Sequence, residues 1–195
     1  LREERREQLL ASARRVFARQ GYVGTSTQDI LAEAEVARGT LYQHFKGKRA
    51  ILGELLDRFL SELAQAIHRV DVTSEVPATV QLRANVDRIM SLLYDNVDLT
   101  RIFLREAAGV DEDLDDKLRE FHDRVLEMLM GSLRTGIALG LVPPGRTRIR
   151  AVFALGALKE AIDHEVLRDD SPAMDRDELG QYAMEFVLRG LLKPG

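Results

Sequence analysis

The sequence predicts an all-α protein of about nine helices, a small three-helix head followed by a larger helical body. Three observations predict it. Apolar residues recur at three- and four-residue spacing along most of the chain. Breaks at Gly21, Lys46-Gly47-Lys48, Asp71 to Pro77, Gly109, Pro143-Pro144-Gly145 and Ser171-Pro172 cut these stretches into helix-sized lengths. No stretch reads as a credible strand, and there is no internal repeat or low-complexity tract.

Taken in order, residues 2 to 20 form the first helix, with Leu9, Leu10, Ala13, Val16 and Phe17 on one side and Gly21 as its C-cap. Two short helices follow and complete the head. A helix from Lys48 to about Val70 carries a broad apolar stripe from Ile51 to Ile67, too broad for a surface helix, and connects head to body. Helices then run over about 78–97, 98–108 and 112–141, the last with a stripe of Leu114, Leu118, Phe121, Val125, Met128, Leu129 and Leu133. The final two cover about 146–168 and 175–192; Leu179, Tyr182, Phe186, Val187 and Leu191 make the last one apolar on two sides.

Composition bounds the function. With 195 residues, 45% of them hydrophobic and 31% charged, the chain is long enough for one or two packed domains. It holds no cysteine, which excludes disulfides and thiolate metal sites. No run approaches the 18 apolar residues of a membrane span. The chain opens on Leu1 rather than Met, which leaves room for a missing short leader or tag, and what remains shows no signal peptide. A soluble, cytoplasmic protein is expected. The net charge of −4 hides an asymmetry: residues 1–50 hold ten Lys/Arg and six Asp/Glu, residues 51–195 eighteen and twenty-six. A basic head on an acidic body suits a nucleic-acid-binding domain joined to a domain with another task.

The stretch from Thr25 to Lys48, TSTQDILAEAEVARGTLYQHFKGK, organises the rest. Ser26 caps a helix and Asp29 supplies the other half of a capping box. Ile30, Leu31 and Ala34 give that helix a buried side. A turn covers Glu35 to Ala37. The next helix, Arg38 to Phe45, turns Leu41 and Phe45 inward at i and i+4 and leaves Arg38, Thr40, Tyr42, Gln43 and His44 facing out. Two short helices, the second studded with outward donors, make a helix-turn-helix suited to a DNA major groove.

The run GYVGTSTQDI, followed by VARGTLYQHFKGK, resembles the DNA-binding signature of the TetR family of bacterial repressors over Leu9 to about Leu56. The resemblance implies a DNA-binding domain over 1–47 and an effector-binding and dimerisation domain over 48–195. In a family-like pose Ser26 and Thr27 hold a phosphate at a helix N-terminus. Arg38 and Thr40 reach base edges, Arg38 taking guanine O6 and N7; Gln43 is a second base reader, and Gly39 lets the backbone come close. Tyr42, His44 and Lys48 resemble the family's phosphate contacts. The chain departs from the family at Glu35 and Ala37, where Gly and Ser are common. Glu35 has to accept strain or relax the turn, and Ala37 offers no cap.

The resemblance further implies that the last two helices pair with their copies in a homodimer, and that helices four to seven hold a hydrophobic small-molecule effector. Ala154, Gly156 and Ala157 allow a close approach on the eighth helix, although small residues also pack well inside one subunit. Candidate pocket walls are Phe59, Leu63, Ile89, Leu93, Phe103, Phe121, Val125, Met128 and Leu129, interrupted by the polar Asn85, Tyr94, Arg105 and His122. His122 is either an interior handle or a satisfied residue at the stripe's edge. No cofactor is expected. Two other classes compete. A sequence-tolerant architectural DNA binder needs more positive surface than the head supplies. A metal-dependent helical enzyme would rest on Glu160, Asp163 and His164, a set more often found as ion pairs; no nucleophile, Walker or HExxH motif accompanies them.

Overall fold

The computed structural model describes residues 2–140, 142–167 and 174–191, the last five by backbone alone. The expected break at Ser171-Pro172 and the side chains of Val187 and Leu191 fall outside what is described. Among the described residues there are nine α-helices and no strand: α1 (Arg2–Gln20), α2 (Thr27–Ala34), α3 (Arg38–His44), α4 (Lys48–Ala66), α5 (Ala78–Asp95), α6 (Val97–Arg101), α7 (Glu112–Ala138), α8 (Thr147–Glu165) and α9 (Arg176–Leu191). They fall into two compact units. The first is the chain through Ser61 with Asp98–Asp115; the second is Glu62–Val97 with the chain from Asp116 on.

In the first unit, α1 buries the five apolar residues its spacing predicts, and Ser12 with them. The Ser12 hydroxyl accepts a hydrogen bond from Arg15, which satisfies a polar group that would otherwise be costly to bury. Gly21 adopts φ +72, the left-handed value that ends α1, and its N–H bonds Phe17 O at 2.9 Å. Tyr22 then folds back with its ring 5.5 Å from that of Phe17. α1 packs on α2 and α3, so the reading unit rests on the longer helix.

Three local features differ from the sequence-based expectation. α4 stops at Ala66, short of Val70. The Asn85 side chain donates to His68 O and accepts from His68 N–H, while Arg88 donates to Ala66 O. These two residues of α5 take over the backbone groups that a further helical turn would have used. The segment expected as one short helix is α6 continued by a single π-helical turn, Ile102–Glu106. On α7 the buried line runs through Leu126, Met130 and Leu133, joined by Val142 and Ala151 in a cluster of the second unit, whereas Leu118, Val125, Met128 and Leu129 are half-buried.

Glu35 resolves the conflict noted at the turn. It takes φ 51, ψ 42, the left-handed C-cap conformation, and is the single non-glycine residue with positive φ among those described. A side chain with a Cβ is strained there by about 1–2 kcal/mol. Part of that is returned by the smaller unfolded-state entropy of Glu relative to Gly, about 0.4–1 kcal/mol. Glu35→Gly is therefore expected to stabilise the protein by roughly 0.5–1 kcal/mol, read as a higher urea midpoint at unchanged slope. An unchanged or lower midpoint would remove the strain argument.

Candidate DNA interface

The reading unit is built on two buried anchors. Leu41 is fully buried and Phe45 nearly so, and together they pin α3 to the unit's interior. The opposite face of α3 is open: Arg38, Gly39, Tyr42 and Gln43 are exposed, and Thr40 and His44 are half-buried. A Cβ on Gly39 would meet nothing within 4 Å, so the backbone there is free to lie against a partner. Ala37 caps α3 with no side-chain hydrogen bond, as its chemistry requires. The Arg38 guanidinium lies over the Tyr42 ring, 5.6 Å from its centroid.

At the start of α2 the capping box is complete. Asp29 N–H donates to Ser26 Oγ at 3.2 Å, and the Asp29 carboxylate accepts from Ser26 N–H and Ser26 Oγ–H, each at 2.7 Å. The backbone and then the side-chain hydrogen bond from Ser26 hold the Asp29 carboxyl below the ordinary carboxylate range. A lowered folded-state value stabilises the protein above the unfolded value, and the contribution is lost as pH falls through the folded one. The box is thus intact at neutral pH. Ser26 is exposed and Thr27 half-buried beside it.

Lys48, expected as a phosphate contact, holds the turn that precedes α2. Its ammonium donates to Tyr22 O at 2.9 Å and Thr25 O at 2.6 Å, lies 3.5 Å from Val23 O, and sits 4.5 Å from the Tyr22 ring centroid. An ammonium has three donors, and these carbonyls face all of them. On the other side of the same turn, Glu106 accepts the Tyr22 N–H at 2.8 Å. The loop before α2 is thereby clasped by the first residue of α4 and the last of the π turn. Lys48→Ala is expected to lower thermal stability and weaken every duplex alike. A pure phosphate contact would instead reduce the salt slope by about 1 without a change in melting temperature.

At least five of the ten basic residues in 1–50 are paired with carboxylates: Arg6 with Glu54, Arg14 with Asp98, Arg15 and Arg19 with Glu33, and Arg49 with Asp111 and Asp113. Arg58, in α4, pairs with Glu7 and Glu54. The excess of basic residues read from the sequence is therefore a weaker guide than the surface of α3 itself.

Comparison with known proteins decides what this geometry belongs to. Residues 9–55, which contain the whole reading unit, match the family model for bacterial regulatory proteins of the tetR family. The reading unit is of the TetR type. It is 27% identical over 187 residues to the fatty acid metabolism regulator protein of Bacillus subtilis, a match spanning 94% of each chain. It is 37% identical over 78 residues to the transcriptional repressor DhaR of a Mycobacterium species, spanning 40% of this chain but only 39% of that protein. The crystal structure of FadR from Bacillus subtilis in complex with stearoyl-CoA superposes with a TM-score of 0.73 at 25% identity, covering 94% of this chain and 98% of that one. Its reading unit is accordingly that of a DNA-binding transcriptional regulator.

The expected effector residues of the body are placed as follows. Phe59, Leu63, Leu93 and Phe121 are buried; Ile89, Phe103, Val125, Met128 and Leu129 are half-buried. Phe59, Phe103 and Arg105 lie in the first unit and the others in the second. Phe59 and Phe103 meet edge to face, 6.2 Å between centroids. Asn85 is buried, with its amide committed to His68. Arg105 and His122 are exposed; the His122 ring lies beside Asp123, so it is the edge residue of its stripe rather than an interior handle. Tyr94 donates to Met174 O. The second unit also bears an open groove between the end of α4 and α5, about 530 Å³, lined by Glu62, Gln65, Ala66, His68, Asp87, Arg88, Ser91 and Leu92.

Helices α8 and α9 pack against each other and carry exposed apolar residues, Ile149, Val152 and Phe153 on α8 and Tyr182 and Phe186 on α9; Val72, Val76, Val80 and Leu139 are exposed elsewhere in the second unit. Ile149, Val152, Phe153, Gly156 and Ala157 recur along α8 at helical spacing, and all are exposed. On α8, His164 Nε2 lies 3.2 Å from Glu160 Oε1, and no group of three metal-ligating residues is present among the described residues. No helix among them is long and apolar enough to cross a membrane.

Proposed function

We propose that the protein is a homodimeric, cytoplasmic repressor that grips a palindromic operator with α3 and lets go when a hydrophobic small molecule binds its body. The observation that carries this reading is α3 itself, buried through Leu41 and Phe45 with its donors turned outward. The division of labour is 1–47 for DNA and 48–195 for effector and partner. No catalytic step is assigned to it. Arg38, Thr40 and Gln43 read base edges, Gly39 gives the backbone clearance, and Ser26, Thr27, Tyr42 and His44 meet phosphates. Lys48 supports the phosphate-facing loop.

One short reading helix touches too few base pairs for useful selectivity, and a two-fold dimer doubles them across half-sites about 34–36 Å apart. The exposed apolar residues of α8 and α9 suit that pairing, since a surface of this kind is normally covered. For the effector, the likeness to a fatty acid metabolism regulator and to a stearoyl-CoA complex favours a long-chain acyl thioester of coenzyme A. Such a ligand releases DNA only if it prefers the arrangement in which the two reading helices no longer match the operator; tight binding without preference shifts nothing.

The experiment selects bound duplexes from random DNA, then titrates the complex with acyl-CoA of increasing chain length. A palindrome released by long but not short acyl chains supports the proposal. A palindrome released by none leaves a regulator of another ligand class and removes the acyl assignment. Equal binding to every duplex removes the regulator.

A further inference from the structure

Six arginines of the first unit are held by carboxylates, as described above. Arg38 differs. Among the described residues no carboxylate pairs with it, and what lies against its guanidinium is the Tyr42 ring, one helical turn on. Both residues are on the exposed face of α3, Tyr42 being 50% exposed. A carboxylate would consume the N–H donors of the guanidinium; a ring face consumes none, because the attraction runs from the cation to the π quadrupole. The pairing thus restrains a long, flexible side chain while leaving its donor edge open for a guanine.

We infer that Tyr42 is a positioning residue for base recognition: its ring pre-sets Arg38 for the base edge, so the identity of residue 42 governs discrimination at the base pair that Arg38 reads. This rests on the proposed groove-facing role of α3. It assigns Tyr42 two separable parts. The hydroxyl serves a phosphate and affects all sequences alike; the ring serves Arg38 and affects one position in each half-site.

The test compares full-length protein with R38A, Y42F, Y42L and the R38A/Y42L double variant. Each is measured for its affinity across duplexes differing at the base pair whose preference R38A abolishes. Y42F is expected to weaken all duplexes together and keep the preference ratio. Y42L is expected to reduce that ratio about two- to fivefold, the worth of an exposed cation–π pair. In the R38A background, Y42L is expected to leave the ratio where R38A put it. A Y42L ratio equal to wild type, or a Y42F loss equal to that of Y42L, overturns the role of the ring. If R38A itself abolishes no preference at any position, the groove reading fails instead, and the two failures are distinguishable. Tyr42 is outside the core, so melting temperatures close to wild type are expected throughout.

Discussion

Phe153→Asp is expected to leave a folded chain that no longer dimerises and binds its operator at least about 100-fold more weakly, because an unpaired carboxylate would have to be buried at the interface. Phe153 is 67% exposed on α8, so in the single chain the substitution replaces a wetted ring with a wetted carboxylate. Such surface changes usually cost within about 0.5 kcal/mol. In the proposed dimer the same position is buried against the partner copy. A two-fold interface presents every substitution twice, which doubles the penalty. Sedimentation equilibrium and operator binding read the two consequences, and thermal melting confirms the fold. Retention of the dimer with full operator affinity would move the interface away from α8.

Arg38→Ala carries the second large effect. A bidentate arginine–guanine contact is worth about 1–3 kcal/mol of discrimination against the wrong base. The loss should appear at one position in each half-site, with neighbouring preferences kept. It should leave the salt slope unchanged, since a base contact releases no phosphate counterion. Lys48→Ala should show the opposite profile: no change in base preference, weaker binding to all duplexes, and a lower melting temperature from the lost clasp on Tyr22 and Thr25. Identical profiles for the two variants would contradict the separation of reading from support.

The residues that read as helices did so because their apolar spacing is local, and local spacing survives into the structure. The outward set on α3 is legible for the same reason, because Leu41 and Phe45, at i and i+4, mark its inward side. Glu35 was legible as a conflict between residue type and turn, and it is where the backbone is strained. What was not legible depends on partners distant in sequence. α4 ends at Ala66 because Asn85 and Arg88, about twenty residues on, bond its last backbone groups. The support that Lys48 gives was not legible because the three carbonyls that engage it belong to a turn more than twenty residues earlier. The buried line of α7 is shifted toward Leu126 and Met130 because Val142 and Ala151 pack there, and periodicity names a face without naming what covers it. His122 illustrates the same limit: a position beside an apolar stripe points either way until its neighbours are known.

A dimeric reader is distinguished by how many chains occupy a selected site and how that site is arranged. Footprinting combined with stoichiometry on the preferred duplex should show two chains, or a multiple of two, protecting symmetry-related half-sites about one helical turn apart. A lone chain on an asymmetric site, or uniform protection of any duplex offered, would contradict it.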